Sequence, residues 1–231
     1  MAVVTVDFDG TLFQGNSFKI MFQAAKKDFT IKEWGIVAKG LLKATVQGML
    51  KGKQAFKHGF FKAFARSFKG KTKEELTIFF HQLVQMGKDN VHHELVETIH
   101  EHQKKGDTII ILSGALRPFL DAFIASLGLK QVTAVGTDLK YDETGVCTGE
   151  LDQIVNGTVK VDKVKAWLSN VESDSDQGIS DREEPEIWAY ADSMSDVPLL
   201  QFAHHPIVVN PNDDMRHVAQ EHGWPIFAES V

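Results

Sequence analysis

Asp7 and Asp9, separated by one residue, end an apolar β-branched run, VVTV at 3–6, and are followed at once by Gly10 and Thr11. Such a run suits a strand covered on both faces, where an ionised carboxylate is not tolerated without a partner. If the extended geometry persists, strand alternation points both side chains the same way. Asp192 and Asp196 follow a second apolar run, IWAYA at 187–191, and Ser113-Gly114 follows a third, TIIIL at 108–112. Four carboxylates gathered at the ends of neighbouring strands repel one another and call for a counter-charge. Mg²⁺ meets that need, because it takes one or two carboxylates and keeps waters that a phosphate can replace. With a single cysteine and no histidine close to these segments, zinc fits poorly. The chemistry that uses such a set is phosphoryl transfer. One carboxylate attacks phosphorus, a second protonates the leaving oxygen and then takes a proton from water. Ser113 could donate to a phosphoryl oxygen, and a lysine would offset the remaining charge.

The elements that must position these residues are legible as short apolar runs at 3–6, 108–112, 132–135, 187–191 and 207–209. Helical patterns lie at 90–104, 116–127, 160–170, 195–203 and 212–222. The alternation predicts an α/β fold, a Rossmann-like parallel sheet with helices on both faces, and in such sheets ligands sit at the carboxyl ends of the strands. The segment 137–152, with Asp142-Glu143-Thr144-Gly145 as its turn, predicts a hairpin.

Residues 15–85 are different. They contain helical patterns, no strand, and 13 Lys and one Arg against four acids, in a chain whose net charge is −6. Phe56, Phe60, Phe61, Phe64 and Phe68 recur at helical spacing. We read an inserted helical cap at 15–85 over an α/β core formed by 1–14 and 86–231. Its phenylalanines are expected to pack the cap's own core while its lysines draw in an anionic substrate. Contact of this basic, Phe-rich cap with an anionic membrane is the less favoured reading. The acidic stretch 172–186 reads as a solvated loop.

The overall charge gives no reason to expect nucleic acid as a partner. Without a basic leader, an apolar run of spanning length or a cysteine pair, the expected location is cytoplasmic. This makes the sequon Asn156-Gly157-Thr158 irrelevant. The sequence leaves the oligomeric state open. GKT at 70–72 is not a phosphate-binding loop, since the required first glycine falls at Ala65, and HHELVETIH at 92–100 reads as a solvated helix face.

DFDGT (7–11), ILSGA (111–115) and YADSMSDVPLL (190–200), in this order and spacing, resemble the motifs of haloacid dehalogenase superfamily phosphatases, in the branch similar to phosphoserine phosphatase. The resemblance implies Asp7 as nucleophile, Asp9 as general acid and base, and Ser113 as a phosphate ligand. It implies Mg²⁺ on the Asp7 side chain, the Asp9 backbone carbonyl and Asp192, with Asp196 in or next to its outer shell. It also implies a lysine from KVDKVKAWL, where Lys160 fits best and Lys163 is the alternative. Thr11, Asn16, Gly114 and Ser195 would lie beside the substrate. The implied activity is Mg²⁺-dependent hydrolysis of a small phosphomonoester through an aspartyl-phosphate. A phosphotransferase, or a non-catalytic ligand or membrane-binding module, is the alternative.

Two positions depart from the pattern. Asn16 stands where phosphoserine phosphatases usually carry a Glu that meets the substrate ammonium, and Ser195 replaces an Asn before the final Asp. A neutral Asn16 cannot supply that ion pair, which argues against free phosphoserine. The residue-level alternatives are that Ser113 and Asp196 cap the helices that follow them. Arg117 is placed either to reach a substrate anion or to face solvent.

Overall fold

The computed structural model describes residues 1–174 and 184–227. β1 (Val3–Val6) leads into four helices, α1 (Ser17–Asp28), α2 (Ile31–Lys51), α3 (Lys53–Ser67) and α4 (Lys73–Gly87). The chain returns through α5 (His93–Lys104) to β2 (Thr108–Leu116), α6 (Arg117–Ser126) and β3 (Val132–Thr137). A hairpin, β4 (Leu139–Tyr141) and β5 (Cys147–Leu151), precedes α7 (Thr158–Asp174), β6 (Ile187–Ala191), α8 (Val197–Phe202), β7 (His205–Val208) and α9 (Asp213–His222). The acidic stretch begins inside α7, and most of it lies outside the described residues.

The sheet order is β3-β2-β1-β6-β7, with every neighbouring pair parallel. Alternate strand residues divide between two cores, as a pleat requires. Val4, Val6, Ile109 and Ile111 pack with Leu95 and Ile99 of α5 and Phe119, Leu120 and Phe123 of α6. Val3, Ile110 and Leu112 pack with Val164 of α7, Leu199 and Leu200 of α8, and Met215 of α9. Thr5, the one polar residue of β1, is buried and donates its hydroxyl to Trp188 O at 2.9 Å, so its burial leaves no unpaired group. From β1 the chain builds outward to β2 and β3, then crosses to β6 on the other side of β1. That reversal lies between β1 and β6, and the crevice beyond their carboxyl ends is the favoured ligand position in such a sheet.

The inserted helices are held by their own signals. Thr30 with Glu33, and Thr72 with Glu75, form capping boxes that start α2 and α4. Phe64 of α3 and Phe68, just after it, are fully buried, meet edge-on and pack among Phe29 and Phe79. The insertion is tied to the hairpin by backbone hydrogen bonds from Gly70 N to Cys147 O at 2.9 Å and from Cys147 N to Lys71 O at 2.8 Å. Most of the exposed apolar side chains of the insertion lie on α2, where Leu42, Val46, Met49 and Leu50 face solvent, and none of the described ones is on the Phe stripe. Among the described residues no helix is long and apolar enough to cross a membrane.

Several boundaries differ from the sequence expectation. β2 runs on to Leu116 through an irregularity after Leu112, so Ser113 and Gly114 lie within the strand's extension. Leu116 therefore precedes α6, and Ser113 is not its cap. Asp196 does precede α8, but its carboxylate makes no capping bond.

Candidate active site

The loop after β1 is built around two phenylalanines. Phe8 and Phe13 are fully buried and stacked with centroids 5.4 Å apart, and both meet Phe123 edge-on. Phe13 N donates to Phe8 O at 2.8 Å and Gly10 N to Phe13 O at 2.8 Å, which closes a tight turn between the rings. Asp7 N still donates to Tyr190 O of β6, at 2.9 Å, but extended pairing ends there. Asp7 and Asp9 consequently part company, contrary to the alternation expected from the sequence. The Asp7 carboxylate turns toward β6 and α7, and that of Asp9 toward the start of α1.

Lys160, in the first turn of α7, is buried and its Nζ donates to Asp7 Oδ1 and to Asp196 Oδ1, both at 2.5 Å. Of the two candidate lysines it is Lys160 that reaches the carboxylates; Lys163 is half-buried further along the helix. Carboxylate oxygens of Asp7, Asp192 and Asp196 all lie within 4.8 Å of one another. Thr11, fully buried, directs its hydroxyl to Asp192 Oδ1 at 3.3 Å and Asp7 Oδ2 at 3.5 Å. Ser193 donates to Asp196 Oδ2 at 2.5 Å, so the 2.8 Å contact between the Ser193 and Ser195 hydroxyls has Ser195 as its donor.

One ammonium does not balance three carboxylates. Burial pushes Asp7 up to about 8, with Asp196 and Asp192 adding to the rise and Lys160 opposing it. Burial and the neighbouring Asp196 raise Asp192 to about 6. Burial alone would lower Lys160, yet Asp7 and Asp196 outweigh it and hold the ammonium above its usual range. The excess of negative charge on hard oxygen donors fits a divalent cation such as Mg²⁺.

Asp9 sits apart from this cluster. Its carboxylate accepts from Ser17 N and from Ser17 Oγ, both at 2.6 Å, at the N-terminus of α1. Burial raises it to about 6, against the two Ser17 bonds that lower it. Ser113 is buried; its Oγ accepts from Ala115 N at 3.1 Å and has its own proton to donate. Thr137 ties the loop above it, donating to Gly114 O at 2.9 Å and accepting from Val155 N at 3.3 Å. Asn16 is exposed and caps α1 by accepting from Lys19 N at 3.0 Å, and with Asp9, Gly114 and Asn156 it lines a cavity of about 480 Å³. Arg117 pairs with Asp138 at 2.8 Å.

Sequence reasoning missed Ser17, Ser193 and Thr137. The only available signal was that the helical insertion opens at residue 15, which puts backbone N–H groups of a first helix within reach of an acid from the loop before it. Gly10 entered the sequence reading only as part of DFDGT. Its φ of +88° suits glycine, and a Cβ there would run into the Asp192 carboxylate. Gly10→Ala is expected to cost about 1–3 kcal/mol of stability and to displace Asp192. Chemical denaturation checks the first effect, and a weakened response of the melting temperature to Mg²⁺ checks the second.

The model of the haloacid dehalogenase-like hydrolase family matches residues 4–201. The chain belongs to this family. Proteins similar to this chain include a histidinol-phosphatase from Neisseria meningitidis, 25% identical over 56% of this chain and 55% of that one. A phosphoserine phosphatase from Mycobacterium tuberculosis is 26% identical over 97% of this chain and 70% of that one. The hydrolase spans about half the length of the Neisseria relative and of several other curated relatives it matches. A solved structure from Bordetella pertussis, of unknown function, shares the fold with a TM-score of 0.76 at 22% identity, over 97% of each chain.

Proposed function

We propose that this hydrolase cleaves phosphomonoesters through an aspartyl-phosphate on Asp7, with Mg²⁺ as cofactor. The observation that supports it best is the unbalanced cluster of Asp7, Asp192 and Asp196 around Lys160, at the switch point of the sheet. The side chains of Asp7, Asp192 and Asp196, with the Asp9 carbonyl, would hold Mg²⁺. When bound, the ion neutralises phosphoryl oxygens as charge develops on them.

The chain's own groups carry the steps. An Asp7 carboxylate oxygen attacks phosphorus, and the bond from phosphorus to the ester oxygen breaks. The leaving oxygen takes a proton from Asp9, whose raised value of about 6 keeps a larger protonated share than an ordinary carboxylate would have close to neutral pH. Asp9 then removes a proton from water, whose oxygen attacks phosphorus while the bond from phosphorus to the Asp7 oxygen breaks, releasing inorganic phosphate and restoring the Asp7 carboxylate and the protonated Asp9. Lys160 and the Ser113 hydroxyl stabilise the equatorial oxygens. We assign Thr11 to holding Asp7 and Asp192, since its buried hydroxyl faces both, and Ser195 to steadying Ser193. Helices α1–α4 act as the cap, and Asn16 and Gly114 line its opening to the site.

The test is release of inorganic phosphate from a panel of phosphomonoesters with Mg²⁺ and with chelator. Metal-dependent release is expected. Phosphate appearing instead on an added alcohol would point to a transferase.

Metal binding also has a pH signature. Asp7 and Asp192 titrate above their unfolded value of 3.8 when folded. The folded state therefore favours their protonated forms, and metal-free stability from these groups falls as pH rises through about 6 and about 8. Mg²⁺ binds the ionised forms. The rise in melting temperature on adding Mg²⁺ is therefore expected to be larger at about pH 8 than at about pH 5. A melting temperature indifferent to Mg²⁺ at the higher pH would reject the metal assignment.

A further inference from the structure

The cavity above Asp9 is about 480 Å³, large enough for a phosphate ester with a substantial alcohol. Its floor is polar, with Asp9, Asn16, Gly114 and Asn156, and its walls are not: Phe18, Phe22, Leu41, Phe56, Phe60 and Phe61 dominate them. The rings support one another. Phe18 meets Phe60 edge-on with centroids 4.7 Å apart, Phe22 lies 6.4 Å from Phe60, and Phe56 stacks on Phe60 at 6.2 Å. Phe56, Phe60 and Phe61, all partly buried, are the outward part of the Phe stripe, whose inward part, Phe64 and Phe68, fills the core.

Charge is as informative as shape. Among the described residues that line the cavity, Asp9 is the only carboxylate and none is Lys or Arg, and Asp9 is already engaged by Ser17 and by the proposed proton transfers. His58 is the one other titratable group among the described lining residues. Burial and the adjacent Lys62 hold it below its usual value of 6.5, so it is neutral at pH 7. Its Nε2 is buried without a hydrogen-bond partner among the described residues, and can take one uncharged polar group. An ammonium or carboxylate on the alcohol would be desolvated here with no free charge among the described lining residues to pair it.

We infer that the alcohol portion of the substrate is apolar and uncharged, an aryl or alkyl body seated among these phenylalanines, with the phosphate on the Asp7 side. This rests on the phosphatase reading and narrows its substrate class. It separates this chain from its relatives named for phosphoserine and histidinol phosphate, two substrates whose alcohols carry an amine.

The experiment compares kcat/KM for hexyl phosphate, phenyl phosphate, O-phosphoserine and histidinol phosphate. The two apolar esters are expected to exceed both amines by at least about tenfold, the scale on which apolar pockets discriminate. Hexyl against phenyl distinguishes an alkyl from an aryl body. Leu41→Glu, at an exposed rim position where a helix accepts Glu, is expected to erase most of the preference, whereas Leu41→Met retains it. A parallel titration calorimetry series uses hexylphosphonate and the phosphonate analogue of phosphoserine, which report binding without turnover.

Turnover that favours either amine overturns the inference and leaves the phosphatase reading intact. Selective binding of hexylphosphonate, lost in Leu41→Glu, with no phosphate released from any ester, rejects the phosphatase reading while sustaining the pocket's preference. Neither turnover nor selective binding overturns both.

Discussion

Replacing Asp7 with Asn is expected to reduce phosphate release by a factor on the order of 10⁴ or more, the scale of losing a covalent nucleophile. Asn is nearly isosteric and keeps hydrogen bonds to Thr11 and Lys160 within reach, so the fold should survive. The stability data should separate a chemical role from a structural one. In the wild type, burial and two neighbouring acids hold Asp7 at about 8, so ionising it near neutral pH opposes folding when no metal is present. The contribution of Asp7 is fully present below its unfolded value of 3.8 and is lost as pH rises through about 8. A neutral Asn removes that dependence. Metal-free Asp7→Asn should therefore melt no lower than wild type at about pH 8, while showing a smaller gain from Mg²⁺. Inactivity together with a preserved melting temperature is the expected pattern. Near-normal turnover by the variant would remove Asp7 from the nucleophile's role, and inactivity caused by unfolding would appear as a lower melting temperature without metal.

The sheet was legible because its central strands are apolar runs buried for most of their length, and such runs have few other places to go. β1, β2 and β6 announce themselves in VVTV, TIIIL and IWAYA, and the acids stand out because they follow these runs directly. What could not be read was how far each strand continues. The backbone after Val6 turns around Phe8 and Phe13, and that turn sends Asp7 and Asp9 in different directions, where alternation predicted one. Phe8 and Phe13 act through contacts with Phe119 and Phe123, more than a hundred residues away, which no local pattern encodes. The Phe stripe of α3 was visible as a stripe, but its division into core and cavity wall depends on where α1 lies against it. Ser17, Ser193 and Thr137 are ordinary surface-type residues in sequence. Only the tertiary structure gives each a carboxylate or a strand extension to hold.

Lys160 is the second position where a single change should act strongly, through charge as well as chemistry. Its Nζ bridges Asp7 and Asp196 in a closed site, and Asp192 completes the acidic cluster. Lys160→Met preserves length and apolar stem but leaves buried carboxylates without their cation, a change that typically costs about 3–5 kcal/mol. Without metal, the loss should be greatest at neutral to alkaline pH. It should shrink as pH falls, because the variant's carboxylates titrate even higher and protonation relieves their repulsion. Mg²⁺ should restore part of the stability by supplying positive charge to the same oxygens. It should not restore turnover, since the donor to the phosphoryl group is gone; a loss of about 10²–10³-fold in kcat is expected from removing one such donor. Measuring kcat at saturating Mg²⁺, well below the variant's melting temperature, keeps the two effects apart. Lys163→Met is the matched comparison, expected to behave like wild type because Lys163 lies half-buried further along α7. If Lys163→Met lost activity while Lys160→Met kept it, the cation of the site would have to be reassigned. Stability without activity would place Lys160 in the chemistry, whereas full recovery of both by Mg²⁺ would reduce it to a counter-ion for the empty cluster.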